Sequence, residues 1–119
     1  MSIFAGLLSI FGCSKAEGFR SVNAEEFAVE IAKSDVQLVD VRSAEEYAEG
    51  HIKGAVNIDV LKDDFAQLFS EKLDAKRPVA LYCRSGRRSK KAAEIAVQQG
   101  FKVVELDGGI LSWKGEIEQ

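Results

Sequence analysis

Two hydrophobic periodicities alternate along the chain after Gly18. Asn23 followed by Glu26 makes a capping-box pair for a helix AEEFAVEIAK, in which Phe27 and Ile31 share one face. Residues 36–41, VQLVDV, form a short β-branched apolar run and predict a buried strand. Ser43 and Glu46 repeat the capping box for a short helix AEEYAE, stopped by Gly50. Residues 55–58 predict another short strand. The stretch DDFAQLFSEKL then returns to helical spacing, with Phe65, Leu68, Phe69 and Lys72 or Leu73 along one side.

The only proline, Pro78, leads the apolar strand VALYC. Ser89 opens the helix KKAAEIAVQQ, which Gly100 ends in the C′ position. KVVEL predicts a further strand, followed by a DGG turn and a last helix around ILSWK. Strands alternating with helices predict an α/β fold, a central parallel sheet covered on both faces. In such sheets ligands bind outside the carboxyl ends of the strands. Cys83 falls at one of those ends.

With 119 residues, 46% hydrophobic and 29% charged, the chain has the size and composition of one soluble globular domain. Its 19 acidic and 16 basic residues give a net charge of −3, which argues against nucleic-acid binding. Residues 82–91, YCRSGRRSKK, carry five basic side chains and no acidic one, so the rest of the chain stands at −3 − 5 = −8. A short basic cluster in an acidic protein suits a small anion. The domain is read over residues 19–119, preceded by an apolar segment over residues 1–18.

That segment, MSIFAGLLSIFGCSKAEG, has two readings. It is similar to a bacterial lipoprotein signal with Cys13 as the lipidated residue, which would anchor the protein in the cell envelope. Against this, no Lys or Arg precedes the apolar run, and Phe11 is bulky for a position two residues before the cysteine. The preferred reading is an apolar helix or tail that packs on the domain or touches a membrane surface, in a cytoplasmic protein; it is too short to span a bilayer.

Cys83 ends a strand, and Arg84, Ser85, Gly86, Arg87 and Arg88 lead straight into a helix. A strand–loop–helix of this length turns backbone N–H groups inward, with Gly86 supplying the tight turn. The result is a nest for an anion at the positive end of a helix. A free thiol is only a few per cent ionised at neutral pH, and lowering a thiol pKa by two units needs about 2.7 kcal/mol. A helix end supplies about 0.3–1 kcal/mol, so inward N–H groups or an arginine must contribute the rest. A buried cysteine alone is usually a small hydrophobe. Its position inside this basic junction is what points to chemistry.

Here the sequence resembles the rhodanese family of sulfurtransferases in its single-domain form. The likeness rests on LVDVRSAEEYAEGHIKGAVNID at 38–59, LYCRSGRRS at 81–89 and LDGGILSW at 106–113. It implies a rhodanese-like fold, Cys83 as nucleophile, and Arg84, Ser85, Gly86, Arg87 and Arg88 as the cradle. It further implies ping-pong transfer of a sulfane sulfur from a donor such as thiosulfate, through a Cys83 persulfide, to cyanide or a thiol. The partners implied are these small molecules or a sulfur-accepting protein, with no metal or organic cofactor. Asp40, a charge within an apolar strand, and Arg42 are expected as structural support beneath the loop. His51 and Trp113 are expected as scaffold and core rather than as a base or ligand platform. Rival readings are a non-enzymatic binding or sulfur-delivery module, an arsenate reductase, and a phosphatase. Tyrosine-phosphatase-type loops place the arginine sixth after the cysteine, where this chain has Ser89.

Overall fold

A computed structural model describes residues 18–119. The apolar segment with Cys13 lies outside the described residues, apart from Gly18. Eleven regular elements and one 3-10 turn follow in order: β1 (Arg20–Val22), α1 (Ala24–Ile31), β2 (Gln37–Asp40), α2 (Ala44–Glu49), β3 (His51–Ile52), β4 (Val56–Asn57), α3 (Phe65–Lys72), β5 (Val79–Tyr82), α4 (Arg87–Gln98), β6 (Val103–Leu106), the turn Ile110–Ser112, and β7 (Ile117–Glu118). Five strands form one parallel sheet in the order β1-β6-β5-β2-β4.

Strand alternation divides the core between the two faces of that sheet. Val39, Val79, Leu81 and Val103 point to the side where Phe65 and Phe69 of α3 and Ala92, Ala93 and Ala96 of α4 pack. Val22, Ala80, Tyr82, Val104 and Leu106 point to the side of Phe27, with Tyr47 and Trp113 packed against them. Helices therefore cover both faces, as the alternating pattern predicts. Ala92, Ala93 and Ala96 of α4 pack with Val79 and Leu81 of β5, the strand that leads to Cys83. Phe69, fully buried and edge-on to Phe101 at 5.1 Å, is a keystone of the first face; truncating such a phenylalanine to alanine costs about 3–5 kcal/mol.

The caps follow the sequence. Asn23 accepts the Glu26 N–H at 2.9 Å, and Ser43 and Glu46 form both halves of a capping box. Four features differ from expectation. β1 adds a three-residue edge strand on β6, and His51–Ile52, for which the sequence predicts no element, forms β3, which pairs antiparallel with β7. The last helix shrinks to one 3-10 turn. The fourth difference matters most: α4 begins at Arg87, with Gly86 as its N-cap, so Ser89 lies inside the first turn and is fully buried. A serine hydroxyl satisfied by partners within the core has no need to cap a helix.

Candidate active site

Cys83 follows the last residue of β5 and is 1% exposed. Its Sγ accepts the Gly86 N–H at 3.1 Å and meets the Ser89 hydroxyl at 3.5 Å. The sulfur therefore lies against the N-cap and first turn of α4, at the positive end of a twelve-residue helix. The loop can turn this tightly because Gly86 adopts φ +103°, and a Cβ there would overlap the Asp107 carbonyl.

The DGG turn holds the loop from the other side. Ile110 N–H donates to the Cys83 carbonyl at 2.9 Å, and Leu111 N–H donates to the Arg84 carbonyl at 3.2 Å. Gly109, at φ +66°, lies so close to Arg84 that any Cβ would collide with its carbonyl. LDGGILSW thus acts as a clamp on the loop that begins at Cys83.

The cradle residues divide. Arg84, Ser85 and Arg87 are exposed at the mouth. Arg88 is half-buried and turned to α2, where its two terminal nitrogens donate to the two Glu46 carboxylate oxygens at 2.8 and 3.0 Å. The Arg88 hydrogen bond pulls the Glu46 carboxyl down to about 2, and burial opposes it. Glu46 in turn raises the Arg88 guanidinium, aided by the nearby Cys83 and Asp59. Arg88 therefore braces the loop against α2 and is not an unpaired cation at the mouth.

Asp40 ends the strand beside β5, in register with Tyr82, and is ion-paired with Arg42. Asp40 Oδ1 accepts the Arg42 backbone N–H at 2.9 Å, and its carboxylate is gripped by Arg42 Nε and Nη2, the latter at 2.7 Å. Tyr82 donates its hydroxyl to Asp40 Oδ2 at 2.7 Å and accepts the Ile52 N–H at 3.0 Å. Burial and the adjacent Asp40 charge push the Tyr82 phenol far up, so it remains a donor. Asn57 donates to the Asp40 and Arg42 carbonyls. Through these contacts DVR, GHI, NID and LYC, separate in sequence, become one buried polar brace.

His51 is engaged in scaffolding. Its Nδ1 lies 2.9 Å from the Tyr47 carbonyl, its ring stacks on Tyr47 at 3.7 Å, and its Nε2 is 3.5 Å from Glu118. Trp113 packs edge-on against Phe27 at 6.1 Å. The residues that the sequence reading missed are Glu46 as the Arg88 partner and Glu105, a fully buried carboxylate in β6 that accepts the Ser89 hydroxyl.

Comparison with known proteins now bears on this geometry. The rhodanese-like domain family matches residues 23–116. The chain belongs to that family. It is 40% identical over 85 residues to a protein named thiosulfate sulfurtransferase GlpE from Coxiella burnetii, covering 71% of this chain and 77% of the relative. Among solved structures it is similar to a protein from Bacillus halodurans, with a TM-score of 0.74 and 28% identity, over 95% of this chain and 85% of that one. A rhodanese-like domain protein from Staphylococcus aureus aligns with a TM-score of 0.72 and 29% identity, over 84% and 97% of the two chains. The rhodanese-like domain thus accounts for nearly all the described residues, and its relatives support sulfurtransferase chemistry.

Proposed function

We propose that this protein moves a sulfane sulfur from an anionic donor such as thiosulfate to cyanide or a thiol, through a persulfide on Cys83. The observation that supports this most is the placement of the Cys83 sulfur at the start of α4, on the Gly86 N–H, behind exposed Arg84 and Arg87. In the first half-reaction the Cys83 thiolate attacks the outer sulfur of thiosulfate. The sulfur–sulfur bond of the donor breaks and sulfite leaves with the electron pair, so Cys83 carries the transferred sulfur and its negative charge. In the second, cyanide or a thiolate attacks that outer sulfur, and the Cys83 thiolate departs with the electron pair.

Throughout both steps the negative charge stays within reach of the same groups. The Gly86 N–H and the helix end bind the inner sulfur, and Arg84, Ser85 and Arg87 at the mouth meet the donor anion. Asp40 and Arg42 hold the strand ends beneath. Charge held by preformed donors needs no general base, in keeping with a histidine engaged elsewhere. A sulfur-accepting protein could take the place of the small acceptor, because Arg84, Ser85 and Arg87 are exposed on the loop. We place the protein in the cytoplasm; incorporation of a labelled fatty acid at Cys13 in cells would instead favour an envelope anchor.

The test is thiocyanate formation from thiosulfate and cyanide by wild type and Cys83→Ser. Turnover by the wild type alone supports the reading. Failure of both folded proteins to turn over would shift the assignment to a binding module or an oxyanion reductase.

A further inference from the structure

Behind Cys83 lies a chain of contacts that the sulfur-transfer reading does not use. The Cys83 Sγ is 3.5 Å from the Ser89 Oγ, and the Ser89 hydroxyl donates to Glu105 Oε2 in a short hydrogen bond. Cys83, Ser89 and Glu105 are all buried, the last two with no exposure at all. A carboxylate so enclosed is unusual on a strand whose neighbours in register, Leu81 and Ser21, offer one alkyl group and one hydroxyl. Ser21 donates to Glu105 Oε1 at 2.6 Å. From α4, Lys90 approaches Glu105 Oε2 at 3.3 Å while bonding Asp107 at 2.8 Å and the Gly86 carbonyl at 3.2 Å. Glu105 is thus tied to the loop at two points.

We propose that Cys83 and Glu105 share one proton through Ser89, so that this buried cluster carries a single negative charge that moves between carboxylate and sulfur. The inference rests on reading Cys83 as the reacting thiol. The transfer balances: the S–H bond breaks and its proton goes to the Ser89 oxygen, while the proton already on that oxygen passes to Glu105 Oε2. The electron pair stays on sulfur. Both hydrogen bonds of the relay survive with their direction reversed, because Glu105 then donates to Ser89 and Ser89 donates to the thiolate. Two anions joined by one hydroxyl in a dry setting repel, and interacting groups of this kind lose protons in two steps that belong to the pair.

The surrounding charges leave the proton divided. Toward Glu105 face the Ser21 hydroxyl of β1 and Lys90 of α4, which favour charge on the carboxylate. Toward Cys83 face the Gly86 N–H and the start of α4, which favour charge on sulfur. Arg88, near Cys83, is already matched by Glu46 of α2, and Arg42, just after β2, by Asp40. Asp107 is matched by Lys90. Arg84 and Arg87 lie in solvent at the mouth, where screening is strong. The consequence is a thiolate fraction set by the internal balance and level across a span of pH. It also makes Glu105 a restraint on the thiol: a second anion is disfavoured while the carboxylate is charged.

The experiment is the rate of Cys83 alkylation by iodoacetamide, followed by intact mass from acid to alkaline pH, on wild type and Glu105→Gln. Sulfur transfer is not needed for this readout, so it stands or falls separately from the proposed activity. Wild type is expected to show two rises separated by a level region. Glu105→Gln keeps the shape of the side chain and is expected to show one rise, with alkylation several-fold faster than wild type in the level region. A residue that merely holds the loop would, when replaced, change the rate by the same factor at every pH and leave both rises in place. A single rise in wild type overturns the proposal even if the variant does not fold, and so does a Glu105→Gln profile that superposes on wild type. A correct alkylation pattern with no sulfur transfer would keep the shared proton and reject the activity.

Discussion

Arg88, in the first turn of α4, grips both carboxylate oxygens of Glu46, at the start of α2, at 2.8 and 3.0 Å. The pair fastens the segment after Cys83 to the helix that follows β2. Because Arg88 lowers the Glu46 carboxyl to about 2, the pair contributes stability that is fully present above the ordinary carboxyl value of 4.5. That contribution is lost as pH falls from there toward about 2, since the unfolded state binds the proton first. Both side chains are about one-quarter exposed, so screening limits the effect: Glu46→Gln should cost roughly 1 kcal/mol or less at neutral pH. Urea unfolding of the two proteins should show this gap at neutral pH and its closure in acid.

The clamp from the DGG turn is tested by Gly109→Ala. No Cβ fits between Gly109 and the Arg84 carbonyl, and φ of +66° is itself unfavourable for alanine. Strain of this kind costs about 1–3 kcal/mol. The loop is the nearest thing that can yield, so activity should fall more than stability. Thermal unfolding beside thiocyanate assays separates the two.

Replacing Tyr82 by phenylalanine should destabilise the fold by about 1–3 kcal/mol, because the buried Ile52 N–H loses its acceptor and Asp40 loses a donor. Asp40→Asn is the harsher change, since it leaves the buried Arg42 guanidinium without its counter-charge; breaking such a pair costs about 3–5 kcal/mol. Denaturant midpoints at constant slope would measure both.

The two arginines that the sequence groups together should behave differently. Arg87 is exposed at the mouth, so Arg87→Ala should raise KM for thiosulfate by about tenfold, an effect that shrinks with added salt. Arg88→Ala should instead lower stability and disturb the loop, because it strands Glu46. Steady-state kinetics at two ionic strengths, with melting curves, distinguish a binding arginine from a bracing one.

Much of this was legible in the chain because the information was local. The Ser43–Glu46 box, the apolar run around Asp40 and the strand–glycine–helix junction at Cys83 each announce themselves within a few residues. The charge of Asp40 inside an apolar strand marked a buried partner, and Arg42 stood two residues away. Glu105 gave the same signal in VVEL, but its partners Ser89 and Ser21 lie 16 and 84 residues off and only the fold joins them. Ser89 looked like a helix cap because serine favours that place; Gly86 had already begun the helix, and the hydroxyl turned inward. Strands of two or three residues, such as β1, β3 and β7, are too short to express an alternation.

The most direct measurement of the central claim is the intact mass of the protein after exposure to thiosulfate alone, with no acceptor, for wild type and Cys83→Ser. The account predicts that wild type gains one sulfur atom, that a thiol or cyanide removes it, and that folded Cys83→Ser gains none. An unchanged wild-type mass, or an equal gain in Cys83→Ser, would contradict a persulfide on Cys83.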